Sequence, residues 1–242
     1  MQLYSAERRT LQTLASGAEA QLIIESKTLM GFQIHLVEQW LCDRSRRFKC
    51  VTVYTNNQNH LLKVTLIKFN QHHLTENSDI RSAIEEFRSA RLFSVGEGQI
   101  YIYSLATLPV HLNLVRIDDG DYERHIRNAQ LSINLKRLSV CGKTLSMAIP
   151  GSDVQNNFYR QYKVTSKFGI SICFDLISVV QMSLAVFGFL DISVCDGFVC
   201  NSTLAALQNF HDRWAQLDFQ VYLSHYRILI VAMQLLLLNY LH

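Results

Sequence analysis

Hydrophobic and polar positions alternate in the first third of the chain. In residues 32–37 every second side chain is apolar, as expected for a strand with one buried face. Residues 50–55 and 62–67 are rich in β-branched and aromatic side chains, which favour strands. The Asn-rich cluster at 56–59 favours a turn. The pattern predicts two or three antiparallel strands joined by tight turns.

A helical period replaces this alternation in residues 80–87. Apolar residues recur there at positions i, i+3, i+4 and i+7, with charged residues on the opposite face. Asn77 and Ser78 precede them and can accept the free amide hydrogens of a first turn. The sequence therefore predicts an amphipathic helix.

Four further short strands are predicted between residues 99 and 149. They cover residues 99–104, 112–117, 131–138 and 144–149. The acidic run at 118–121 favours a turn, because Asp side chains bond to nearby backbone amides.

The period changes again near residue 165. Residues 158–162 suggest a helical turn, and no strand-like period follows Cys173. We therefore predict an α+β fold. A mixed domain with antiparallel strands and an amphipathic helix occupies residues 1–165, and an all-α domain packed against it occupies residues 166–242.

Residues 177–214 suggest two helices joined by a tight connection. Gly188 suits the left-handed end of the first helix, and Gly197 gives the connection conformational freedom. Three residues can cap the second helix: Asn201, Ser202 and Thr203. The apolar face of that helix contains Leu204, Leu207, Phe210 and Trp214.

Over residues 175–215 this pattern resembles the peptidoglycan-binding-like three-helix domain. The shared features are a leucine, a G-x-L, a D-G and a T-x-x-A-L-x-x-F at similar spacings. Cys200 stands where that family usually has glycine. The resemblance implies a three-helix fold more than a ligand.

The charge of the chain argues against nucleic-acid binding. The 242 residues carry a formal net charge of +3, whereas binding through phosphates needs a concentrated basic stripe. The densest basic stretch contains Arg44, Arg46, Arg47 and Lys49. We interpret it as a solvated turn between strands, with contact to an acidic partner as the alternative.

Six cysteines are scattered along the chain, at positions 42, 50, 141, 173, 195 and 200. The first twenty residues have no apolar core run, so we expect an intracellular chain with reduced thiols. No pair has the short spacing of a zinc knuckle. The alternative is a Cys/His metal-binding protein or enzyme that uses Cys195, Cys200 and His211.

Two apolar segments deserve comparison with membrane spans. Residues 171–190 carry a single charge, Asp175, and residues 228–241 are apolar over about fourteen positions. A span needs about 20 apolar residues, and polar residues interrupt the first segment. We interpret both as buried helices and expect no membrane partner.

Local motifs for catalysis and cofactor binding are missing from the sequence. It contains no G-x-S-x-G elbow, no P-loop, no complete dinucleotide glycine fingerprint and no H-E-x-x-H helix. We therefore expect neither an enzyme nor a bound cofactor.

Five short blocks follow one another along the chain: residues 31–40 (GFQIHLVEQW), 53–56 (VYTN), 112–115 (LNLV), 134–138 with 141–146 (NLKRL and CGKTLS) and 195–200 (CDGFVC). In this order they resemble the N-terminal domain of the fungal Sin-three-binding (STB) proteins. Two positions depart from the family: Asn56 replaces a glycine, and Phe210 with His211 lies where a Trp-rich helix is expected.

This resemblance implies a non-enzymatic protein-interaction module. Its partner would be the Sin-three histone-deacetylase corepressor scaffold, and its location the nucleus or the cytoplasm; the oligomeric state is left open. The expected binding surface is the exposed part of the C-terminal helices, because apolar grooves on helices accept amphipathic partner helices.

Overall fold

The structure, a computed structural model, describes residues 24–46, 48–67, 90–95, 98–103, 108–142 and 145–214. The chain divides into two compact units, formed by residues 1–41 with 45–125 and by residues 42–44 with 126–242. The division into domains 1–165 and 166–242 stays a prediction.

The described residues up to Ile117 form seven strands and a short helix. These elements are β1 (Ile24–Met30), β2 (Phe32–Val37), α1 (Glu38–Cys42), β3 (Cys50–Tyr54), β4 (Leu61–Ile67), β5 (Arg91–Val95), β6 (Gly98–Ile102) and β7 (Leu114–Ile117).

The strand pairs among the described residues are all antiparallel. Strand β2 lies between β3 and β7, while β1 pairs with β4 and β5 pairs with β6. The β1–β4 ladder ends at the pair Met30 and Leu61, and the β2–β3 ladder begins at Phe32 and Tyr54. Gly31 is the single residue between β1 and β2, so the β2–β3 ladder follows the β1–β4 ladder directly along the chain.

Gly31 connects the two ladders in a conformation that few other residues adopt. Its φ angle is +86°, in the region that favours glycine. Its amide donates to the His60 carbonyl at 2.8 Å, and its carbonyl accepts from the Thr55 amide at 2.7 Å. Residues 55–60 therefore lie opposite a single glycine.

The strands predicted near residues 32–37, 50–55 and 62–67 are confirmed as antiparallel strands. In β2, Phe32, Ile34 and Leu36 are buried, while Gln33 and His35 are partly exposed. The predicted amphipathic helix at 80–87 lies outside the described residues.

Beyond β7, the described chain is helical. The helices are α2 (Tyr122–Arg137), α3 (Ser152–Tyr162), α4 (Ile172–Val186) and α5 (Asn201–Trp214), with short 3-10 turns at Ser166–Phe168 and Ile192–Val194. The described residues of the second unit include an apolar core cluster, whose fully buried members are Leu135, Phe158, Cys173 and Leu184.

Residues 131–138 belong mostly to α2, so the strand predicted there is wrong. The sequence alternates apolar and polar residues at these positions, but the alternation does not separate core from solvent. Ser132 and Asn134 are buried and bond to backbone groups of other segments. The Asp121 carboxylate accepts the Arg124 amide at 3.2 Å, which satisfies a free donor of the first turn.

The strand predicted at 144–149 is also wrong, because residues 145–149 have no strand pairing. The turn at 118–121 is confirmed, with the Asp119 carboxylate accepting the Asp121 amide at 3.0 Å. The α+β class is confirmed as well. The likeness to the peptidoglycan-binding-like domain stays a prediction.

Candidate functional site

The segment 196–200 connects α4 to α5 and contacts polar side chains from several elements. Gln181 of α4 is fully buried. Its amide nitrogen donates to the Phe198 carbonyl at 2.9 Å and to the Thr203 hydroxyl at 3.0 Å. Its amide oxygen accepts the Gly197 amide at 2.8 Å. Gln181 therefore satisfies buried polar groups on both sides of the connection.

Asn134 of α2 is the second fully buried amide at this segment. It donates to the Gly197 carbonyl at 2.8 Å and accepts the Val199 amide at 2.9 Å. We call Asn134 and Gln181 the amide pair. Because buried backbone groups without partners are costly, the amide pair allows this segment to lie inside the protein without regular secondary structure.

Gly197 lies against α4 so closely that no side chain fits. Its φ angle is +80°, and a Cβ atom there would be 2.5 Å from the Phe174 carbonyl oxygen. The predicted conformational role of Gly197 is confirmed, as is the positive φ of +76° at Gly188. Helix α5 begins at Asn201, so its N-terminal capping position belongs to Cys200. The predicted caps, Asn201, Ser202 and Thr203, lie inside the first turn instead.

Arg44 belongs to the second unit and bonds to both ends of the 196–200 segment. Its guanidinium donates to the Asp196 carboxylate at 2.6 Å and to the Cys200 sulfur at 3.0 Å. The Thr203 hydroxyl lies 3.4 Å from the same sulfur. Arg44 thus lies in an exposed turn, as this basic stretch was interpreted, but its guanidinium also has fixed partners in the 196–200 segment. Arg46 is also engaged, since it lies 4.0 Å from the centre of the Trp40 ring.

These contacts change the ionisation of Cys200. Burial alone raises the pKa of the Cys200 thiol, but hydrogen bonds from Thr203 and Arg44 outweigh burial and hold the pKa below its usual value. Burial alone lowers the pKa of Arg44, but its hydrogen bonds to Asp196 and Cys200 outweigh burial and raise the pKa. The arrangement stabilises a thiolate beside a guanidinium.

Arg44→Gln is expected to raise the pKa of Cys200, because the thiolate loses its charged donor. Thiolate absorbance at 240 nm, taken as the difference from a Cys200→Ser variant, measures the change. Arg46→Gln is the matched control, since Arg46 contacts Trp40 instead. An unchanged titration in Arg44→Gln, or an equal shift in both variants, would contradict the assignment.

Because folding lowers the pKa of Cys200, the free energy of unfolding depends on pH. The stabilisation that Arg44 gives to the folded protein through the Cys200 thiolate is absent well below the folded-state pKa of Cys200. It grows as the pH rises toward the ordinary pKa of a thiol. It is fully present above that value.

The structure does not group Cys195, Cys200 and His211, the hypothetical metal ligands, into a metal site. Within the part of the chain that the structure describes, no three His, Cys, Asp or Glu side chains are grouped to hold a metal ion. The Cys195 sulfur lies 3.9 Å from the Asp191 carbonyl, Cys200 contacts Arg44, and His211 contacts Asp212 at 3.5 Å. All six cysteines are free thiols.

Helix α4 is apolar on two faces, and only one of them packs in the core. Ile177, Val180 and Leu184 are buried in that core. On the other face, Val179 is 46%, Met182 43% and Val186 71% exposed. The expectation that residues 171–190 form a buried helix is therefore wrong for this face. Among the described helices, none is long and apolar enough to cross a membrane.

Sequence reasoning missed the roles of Arg44, Asn134 and Gln181. A signal was present for Gln181, as an amide within a strongly apolar helix, where a buried polar side chain needs partners. Arg44 and Cys200 are 156 positions apart, so no local pattern could connect them.

Comparisons with known proteins agree with the resemblance in the sequence. Residues 1–138 match the family model described as STB6-like, N-terminal domain. Protein STB2 of Saccharomyces cerevisiae is 22% identical over 247 residues, which cover 87% of this chain and 29% of STB2. Protein STB6 of the same yeast is 22% identical over 215 residues, which cover 74% of this chain and 28% of STB6.

The chain thus spans less than a third of the length of these relatives. No solved structure matches it. The family match covers more than half of the chain, and the two relatives extend the similarity beyond the matched region. The predicted membership is confirmed: the chain belongs to the STB6-like family, with the family's N-terminal domain at residues 1–138.

Proposed function

We propose that this chain is a non-enzymatic protein-interaction module that contacts the Sin-three histone-deacetylase corepressor scaffold in the fungal nucleus. Membership of the STB6-like family supports the proposal, since the family resemblance implies contact with this scaffold. Neither relative has a name that specifies an enzymatic activity.

The structural observation that carries the proposal is the exposed apolar face of α4. Single exposed apolar residues are common on protein surfaces, but a row of them on one helix face is typical of a binding site. The row lies on a helix whose other face is packed in the core. The surface is therefore supported by a rigid element.

Affinity capture tests the proposal. The tagged full chain, expressed in the organism that encodes it, should retain corepressor subunits from a nuclear extract well above the tag alone, as quantified by mass spectrometry. A bait carrying Gly197→Ala should retain less, because its second unit is expected to be destabilised. Corepressor subunits at the level of the tag alone would overturn the proposal.

A further inference from the structure

A shallow, open groove of about 430 Å³ lies on the exposed face of α4. We call it the α4 groove. It is lined by Asp175, Ser178, Val179, Met182, Ser183 and Val186.

Four of the lining residues form one row along the axis of α4. Asp175, Val179, Met182 and Val186 follow at i, i+4, i+7 and i+11, and so share one helix face. At a rise of about 1.5 Å per residue, the row is about 16 Å long. This length corresponds to about three turns of a partner helix.

The floor of the groove favours apolar contact. The Ser183 hydroxyl donates to the Val179 carbonyl at 2.7 Å, so this donor needs no partner from outside. Met182 has an unbranched, polarizable side chain that adapts to different apolar partners. Apolar side chains can therefore replace water along most of the row without leaving the Ser183 donor unpaired.

A helix suits this groove better than an extended segment. The backbone of α4 is already hydrogen-bonded within the helix, so it offers a strand no ladder partners. An extended segment would bury its own amide groups unpaired. A helix satisfies those groups internally and offers an apolar stripe of matching period.

Charge fixes the orientation of the occupant. Among the described residues that line the α4 groove, Asp175 is the one with a charge, and it lies in the first turn of α4. Within the described residues it has no ion-pair partner. An occupant with a cation at this end is therefore favoured over a neutral or acidic one.

We propose that the α4 groove binds an amphipathic α-helix of the corepressor scaffold, about three turns long, with a Lys or Arg beside Asp175 and an apolar stripe along Val179, Met182 and Val186. This inference rests on the proposed function and names the part of the partner that the surface recognises.

Binding of the purified full chain to the purified scaffold from the same organism tests the inference. Met182→Asp places a charge in the centre of the stripe and should weaken binding about tenfold or more. Ile149→Asp is the matched control, since Ile149 is also exposed but does not line the groove. It should leave the affinity unchanged.

The charge at the end of the groove is tested separately. Asp175→Lys should weaken binding about two- to tenfold and reverse its salt dependence, so that added salt strengthens the remaining binding. Asp153→Lys is the matched control, because Asp153 is an exposed acid in the first turn of α3. Thermal unfolding verifies that each variant is folded.

A photocrosslink identifies the occupant. With p-benzoylphenylalanine in place of Val179, the crosslinked peptide should come from the scaffold and have an apolar stripe with a basic residue at one end. A crosslink to a second copy of the chain, or to another segment of the same chain, would overturn the inference. So would unchanged affinity in both Met182→Asp and Asp175→Lys.

The two proposals fail in different ways. If the unmodified chain does not bind the scaffold, the proposed function is wrong and the inference falls with it. If it binds and the groove variants bind equally well, only the inference is wrong.

Discussion

Gly197→Ala is expected to destabilise the second unit by about 2–5 kcal/mol. Any side chain at a φ angle of +80° costs about 1–2 kcal/mol. The added Cβ would also lie 2.5 Å from the Phe174 carbonyl oxygen. Relief of that overlap needs a backbone shift in α4 or in the 196–200 segment, for which about 1–3 kcal/mol is typical.

Gly188→Ala is the control that separates the two causes. Gly188 has nearly the same φ angle, +76°, but a Cβ there would meet nothing within 4 Å. It should cost only the conformational part, about 1–2 kcal/mol. Urea denaturation followed by circular dichroism at 222 nm measures both, since that signal comes mainly from helices. Equal losses in the two variants would show that the contact with Phe174 is unimportant.

Gln181→Met is expected to destabilise the second unit by about 1–3 kcal/mol. Methionine has a similar volume and remains apolar, so packing changes little. The substitution leaves the buried Gly197 amide without a partner, while the Phe198 carbonyl still accepts the Cys200 amide at 2.9 Å. Each buried group without a partner costs about 1–3 kcal/mol.

The matched control for this variant is Gln208→Met on α5. Gln208 donates to the exposed carboxylate of Asp212, so its loss should change stability by less than about 0.5 kcal/mol. Amide hydrogen exchange gives a second readout, since Gly197 should lose protection in Gln181→Met only. Equal effects of the two substitutions would contradict the role of the amide pair.

Strands were predictable where one face of the sheet is buried. In β2, the alternation of Phe32, Ile34 and Leu36 with partly exposed residues is a direct consequence of that geometry. Helix α2 was not predictable in the same way, because Ser132 and Asn134 are polar and buried at once. Their partners, including Ser146 and Gly197, lie 14 or more positions away.

The candidate binding surface was only half predictable. The apolar content of residues 171–190 indicated a helix, and the structure places one there. Apolar residues on two faces, however, do not reveal which face the core covers. That choice depends on the side chains of α2 and α5, such as Leu135 and Phe210, which complete the core.

The amide pair and the α4 groove have one structural element in common. Gln181 and the groove residue Met182 are neighbours on α4, and they point to the buried and the exposed side respectively. The bonds of Gln181 connect α4 to the start of α5 through Thr203. The exposed row is thus part of a helix held in place by buried hydrogen bonds.

Isothermal titration of the purified, unmodified chain with the purified corepressor scaffold shows most directly whether the chain binds that scaffold. We expect saturable binding at one chain per scaffold site. Affinity should fall as salt is added, because an exposed ion pair contributes to it. An absence of saturable binding at protein concentrations of about 100 µM, where even weak specific complexes form, would contradict it.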